Sequence, residues 1–117
     1  MGYMCHHAIV VTSWNESMIR KARRKAGALG MTCSPVGPPT TNMYRSFLIA
    51  PDGSKEGWGD SDRGDERRAK MVQWMNAQAY DDGSSALAWV VVQYGDDDME
   101  TKVIVDSDEL RRQRGDE

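Results

Sequence analysis

The stretch CHHAIVVTSWNESMIRKARRKAGALG, Cys5 to Gly30, decides the fold. It opens with β-branched residues gathered at Ile9, Val10, Val11 and Thr12, the composition of a strand running from Cys5 to Ser13. The period then changes. Met18, Ala22, Ala26 and Leu29, with Ile19 beside them, fall on one stripe of a helix. Ser13 stands three residues before Glu16, the spacing of a capping box, and predicts the helix start there. Gly30 supplies a left-handed stop. A strand feeding an amphipathic helix needs a sheet for that helix to lie on, so further strands are expected in the rest of the chain.

TCSPVGPPTTN, Thr32 to Asn42, holds three prolines and a glycine, which remove donors and fix the backbone. It reads as a long irregular loop, with Pro38-Pro39 extended. MYRSFLIA, Met43 to Ala50, is a strand, and PDGS places a hairpin turn at Asp52-Gly53 before a short return strand around Lys55 to Trp58. Asp62 predicts an N-cap, with Asp65 and Glu66 in the first turn. Ala69, Val72, Met75 and Ala79, flanked by Met71 and Trp74, carry a second helix to about Tyr80, where DDGSS breaks it.

LAWVVVQY, Leu87 to Tyr94, is nearly continuous in apolar residues and reads as a central strand. GDDD turns it into METKVIVD, Met99 to Asp106, whose residues alternate in strand fashion. The tail SDELRRQRGDE has little to bury and is expected to fray. The expected fold class is α+β: a mainly antiparallel sheet with two helices on one face, in the ferredoxin-like order β-α-β-β-α-β plus a C-terminal hairpin strand. Residues 1–110 read as a single domain and 111–117 as a charged tail.

At 117 residues, 39% of them hydrophobic, the chain is long enough to hold a core unaided. It has no apolar run of membrane-spanning length and no leader of secretory type, and two cysteines make no disulfide framework, so a cytoplasmic location is the expectation. The net charge of -3 is unevenly spread. Residues 1–59 carry seven Lys/Arg against three acids, and residues 81–117 eleven acids against four Lys/Arg. An acidic balance argues against a dedicated duplex binder, while the asymmetry suits one half meeting an oppositely charged partner.

The motifs that would name a chemistry fail one by one. A calcium loop started at Asp60 has Gly64 at its fifth position, Asp65 at its sixth and Met71 at its twelfth, against the template. No glycine-rich phosphate loop occurs. Cys5, His6 and His7 are the one cluster of soft ligands, but neighbours in a strand face opposite ways, so only Cys5 and His7 share a side, too few for zinc. The return strand KEGW lacks the basic-aromatic motif of an RNA-recognition domain. No metal, cofactor or catalytic residue is therefore expected.

What remains is binding chemistry. RKARRK sets Arg20, Lys21, Arg24 and Lys25 round the wet faces of the first helix, either as an ordinary solvated surface or as a patch for an acidic partner. Trp58, between two glycines, is either a core ring or an interface anchor. Asp96, Asp97 and Asp98 form an acidic hairpin tip that guards an edge or mimics phosphates toward a basic groove.

FLIAPDGSKEGW, GDERRAKMVQWM and YDDGSSALAWVVVQYGDD resemble uncharacterised small proteins encoded by phages and prophages, over roughly Tyr44 to Asp97. The resemblance implies a short accessory protein that works in a bacterial host by binding and inhibiting host machinery. The expected function is thus a non-catalytic binding protein that blocks or sequesters a host protein or a small-molecule ligand. Two rivals stand beside it: a small hydrolase-like enzyme using Cys5 or His7 with a loop acid, and a nucleic-acid accessory protein using the basic helix. The oligomeric state stays open, a homodimer included.

Overall fold

The computed structural model describes residues 5–51, 59–80, 85–95 and 100–109. In chain order these form β1 (Cys5–Ser13), α1 (Glu16–Ala28), β2 (Arg45–Ile49), α2 (Gly59–Ala77), β3 (Leu87–Gly95) and β4 (Lys102–Asp106), with a short 3-10 turn at Thr41–Met43. The strands make one sheet in the order β2-β1-β3-β4, every neighbouring pair antiparallel. The class is α+β, as the sequence indicates. The ferredoxin-like order is not what these strands form. That plan separates β1 from β2 by another strand, whereas here they pair directly, Ile9 opposite Ile49 and Val11 opposite Phe47. The return strand expected around Lys55 to Trp58 lies outside the described residues.

Strand alternation puts Ile9, Val11, Phe47, Ile49, Leu87, Trp89 and Val91 on one face, all buried. Ile19, Ala22 and Ala26 of α1 and Met71 and Met75 of α2 close over that face in a single core cluster. The opposite face carries Val10, Leu48 and Val103 at the surface.

Helix α1 begins later than the capping box suggests. Ser13 stays in β1, its Oγ accepting from the Asn15 amide at 3.0 Å, and Asn15 is the cap, its Oδ1 accepting from the Met18 amide at 3.1 Å. The C-terminal end is as read. Gly30 takes φ 83°, while the Met31 amide reaches the Ala26 carbonyl and the Gly30 amide the Gly27 carbonyl, the double bond of a Schellman stop. Met31 folds back into the core behind it.

The proline-rich stretch is irregular, yet it is not a free loop. It runs along the outer edge of β2, the Ser34 amide donating to Leu48 and the Gly37 amide to Ser46 at 2.9 Å each, and Thr32 accepting from the Ala50 amide at 2.8 Å. Pro35 falls between the bonds of Ser34 and Gly37, and Pro38 and Pro39 between that of Gly37 and the bond from the Thr40 amide to the Tyr44 carbonyl at 2.8 Å, where no donor is required. Asn42 and Met43, both in the left-handed region at φ 57° and 66°, turn the segment back into β2. Met43 is therefore a turn residue and the strand starts at Arg45, two residues beyond the sequence reading.

Helix α2 corrects the sequence reading twice. It starts by Gly59, so Asp62 lies inside it rather than capping it. Its inward stripe is Gly64, Arg68, Met71 and Met75, while Ala69 is exposed, Val72 is half-buried and Ala79 lies beyond the helix end at Ala77. The two methionines, expected as flank and stripe, are both fully enclosed at 0% and 1% exposure.

Candidate functional site

The cations of α1 lie as the helical period requires. Arg20, Lys21 and Arg24 are exposed, whereas Lys25, expected in the open, is half-buried. Arg20 pairs with Glu16 one turn back at 3.2 Å, a pair between exposed groups that contributes little to stability. Glu16 also faces Arg45 of β2 at 3.8 Å. Lys21, Arg24 and Lys25 make no ion pair or hydrogen bond among the described residues.

Sequence reasoning passed over Arg23, because its period puts it beside the apolar stripe. Its Nε donates to the Ser34 carbonyl at 2.9 Å and its Nη2 to the Cys33 carbonyl at 3.5 Å. These bonds tie the proline-edged segment to α1. Between them, Arg20, Arg23 and Arg24 with Pro35 and Val36 line a concavity of about 300 Å³. A basic helix thereby becomes a basic face with an apolar floor. One signal for Arg23 was available: a cation on the helix flank nearest a donor-poor segment whose carbonyls need partners.

Cys33 lies beyond β2, bridged to Ile49, with its thiol donating to the Met31 carbonyl at 3.6 Å. Burial pushes this thiol above its ordinary value of 9.0, and the Arg23 guanidinium pulls it back only in part. It is a protonated, weak nucleophile at neutral pH.

Cys5 and His7 do share one side of β1, as the alternation demands, but their geometry does not suit a nucleophile and its base. Gln93 donates from Nε2 to the Glu100 carbonyl at 3.0 Å, which leaves its Oε1 facing His7 Nε2 at 3.2 Å. An amide oxygen only accepts, so Nε2 of His7 carries the proton. That nitrogen cannot also take a proton from Cys5, whose Sγ stands 4.0 Å away and whose side chain is 2% exposed. His6 points to the other face, its ring 5.1 Å from that of Tyr94. Among the described residues no group of three His, Cys, Asp or Glu is placed to hold a metal ion.

A second concavity lies between α2 and the β3–β4 side of the sheet. It has a volume of about 370 Å³ and mainly apolar walls from Ala69, Val72, Val91, Ile104 and Val105, with His7, Asp65, Arg68 and Gln73 as its polar members. Arg68 is only 8% exposed and is paired with Asp65, one turn earlier on α2, whose side chain is 59% exposed. No sequence pattern marked this place, because it is built from both sides of the layer.

Trp58 and Asp96, Asp97 and Asp98, singled out in the sequence, lie outside the described residues, as does the tail from Leu110 onward. No helix among the described residues is long and apolar enough to cross a membrane. No family model matches the chain, and no curated protein matches it.

Proposed function

We propose that this chain is a non-catalytic binding protein of phage type, acting in a bacterial cytoplasm by occupying an acidic surface of a host protein. The observation that carries the reading is the basic face of α1. Arg20, Lys21, Arg23, Arg24, Lys25 and Arg45 gather there against a single acid, Glu16, and three of the six cations have no partner among the described residues. Arginine forks suit carboxylates, and Pro35 and Val36 beside them offer the apolar contact that an interface centre needs. The hydrolase-like alternative loses support from the committed proton on His7 and the buried thiol of Cys5.

The test is fluorescence anisotropy with a labelled acidic peptide and, separately, labelled single- and double-stranded DNA and RNA of equal charge. The peptide is expected to bind, to weaken as salt rises, and to weaken about tenfold when Arg20 and Arg24 are both changed to Glu. Tighter binding of a nucleic acid would transfer the face to the nucleic-acid reading. Absence of binding by any probe at low salt would end the proposal for this face.

A further inference from the structure

We propose that the open face of the sheet is the interface of a symmetric homodimer, in which two copies of this chain stack sheet on sheet. Two apolar rows cross that face. Leu48, Val10 and Val90 stand opposite one another across β2, β1 and β3, and Ala8, Val92 and Val103 do so across β1, β3 and β4. An antiparallel sheet with one solvated face ordinarily places polar residues there. Here Val10 is 39% exposed, Leu48 42% and Val103 54%. The helices give them no cover, because Ile19, Ala22, Ala26, Met71 and Met75 pack into the core on the other side.

The charge pattern suits a second copy rather than a foreign partner. Charged residues make up 28% of the chain, yet among the described strand residues the register puts only one on this face, Asp106 of the edge strand. A two-fold axis sets the groups near it against their own kind, so a charged centre repels its copy and an uncharged one does not. An axis running along the strands lays β4 of one copy over β2 of the other, which keeps the two Asp106 carboxylates apart. Polar side chains of the face already meet within the chain: the Thr12 and Ser46 hydroxyls lie 2.8 Å apart, and the His6 ring stands 5.1 Å from that of Tyr94. Little desolvation therefore opposes burial. Two sheets of the same twist align about 10 Å apart. A shallow hollow of about 300 Å³ among Val10, Thr12, Ala88 and Val90, edged by Asp106 and Asp108, receives a side chain of the copy.

Area sets the strength. Nine residues in each of β1 and β3 and five in each of β2 and β4 give a footprint of about 450 Å² at ordinary strand spacings. Two footprints come close to the roughly 1,000 Å² that a specific interface needs, and exposed Trp14 and Tyr44, one residue beyond Ser13 opposite Arg45, lie at its end. The dimer is thus weak, with a micromolar dissociation constant. Its helices face outward, so both basic faces of α1 stay open.

The test follows the full chain by sedimentation velocity and methyl NMR on dilution from millimolar to low micromolar concentration. A monomer–dimer equilibrium is expected, with concentration-dependent shifts at Val10, Leu48 and Val103 and none at Val72 of α2. High salt should leave it intact, unlike association through the cations of α1. Leu48→Glu, which faces β4 of the copy and its Asp106, should weaken the dimer at least about tenfold while the dilute chain keeps its circular dichroism. Val103→Glu, on the edge strand, should do the same and serves if Leu48→Glu lowers stability. A chain still monomeric at millimolar concentration, shifts confined to other elements, dissociation by salt, or dimerisation that survives both substitutions would each overturn the proposal. So would a monomer whose face methyls are shielded from a soluble paramagnetic probe, since the chain would then cover the face itself.

Discussion

The Arg23 guanidinium joins α1 to the outer edge of the sheet, its Nε 2.9 Å from the carbonyl oxygen of Ser34. The residue that shapes the basic face is thus also a strut between two elements. Hydrogen bonds from a charged donor contribute roughly 1.5–3 kcal/mol each when well made. Arg23→Met should cost about 2 kcal/mol, since one of its two bonds is long, and should speed amide exchange at Ser34 and Gly37 more than at β1. Equal acceleration along β1 would show that the strut is not local.

Met43 holds a left-handed backbone at φ 66° with its side chain 61% exposed. Relief of that conformation is worth roughly 1–2 kcal/mol, and a glycine gives back about 0.5–1 kcal/mol in the unfolded chain. Met43→Gly is therefore expected to stabilise the protein by about 0.5 kcal/mol or slightly more, measured by urea unfolding. A loss of stability would mean that the methionine side chain makes a contact worth more than the strain.

The thiol of Cys33 is raised by burial, with the partial opposing effect of Arg23. A group whose folded value lies above its unfolded one contributes stability that is complete below the unfolded value. That contribution is lost as pH rises through the folded value. Alkylation of Cys33 by iodoacetamide should accordingly lag behind a free peptide thiol up to and beyond pH 9.0, and stability should decline only above that point. Rapid modification near neutrality, located by peptide mapping, would contradict the buried environment.

The phase of α2 can be tested with two substitutions. Met71 is 0% exposed, so Met71→Ala should cost roughly 2–5 kcal/mol through lost transfer energy and an unfilled cavity. Ala69→Ser, at an exposed position two residues earlier, should change stability by less than about 0.5 kcal/mol. The reverse ranking in thermal melts would restore the stripe expected from the sequence.

That misphased stripe shows where sequence reading stops. In α1 the apolar residues are few and fall on one side, so period alone placed Ala22 and Ala26, while Ile19, expected beside the stripe, is fully buried and Met18 and Leu29, expected on it, are half-buried. In the stretch read from the sequence as the second helix, Ala69, Met71, Val72, Trp74, Met75 and Ala79 cover most of the circumference, and small alanines match any stripe. Only burial in the core cluster that also holds Trp89 and Val91 chooses Met71 and Met75, and that choice brings Arg68 inward. Strand β3 was legible from its apolar run. Its pairing with β1 was not, because alternation sets the face of a strand and never its neighbour. The basic face was half visible: the exposed cations came from period, while Arg23 needed the fold of the proline-edged segment.

The central pair of the sheet sets the order of events during synthesis. Of the four strands β1 leaves the ribosome first, yet its nine-residue ladder from Cys5 opposite Gly95 to Ser13 opposite Leu87 waits for β3, which follows β2 and both helices. Until then one flank of β1 can be satisfied by β2, while the other stays bare. Pairing across such a sequence separation makes folding slow relative to a helical protein of this size. A chain truncated anywhere before Leu87 therefore presents an unpaired, β-branched flank, and its natural fate is precipitation or proteolysis rather than a working half-protein.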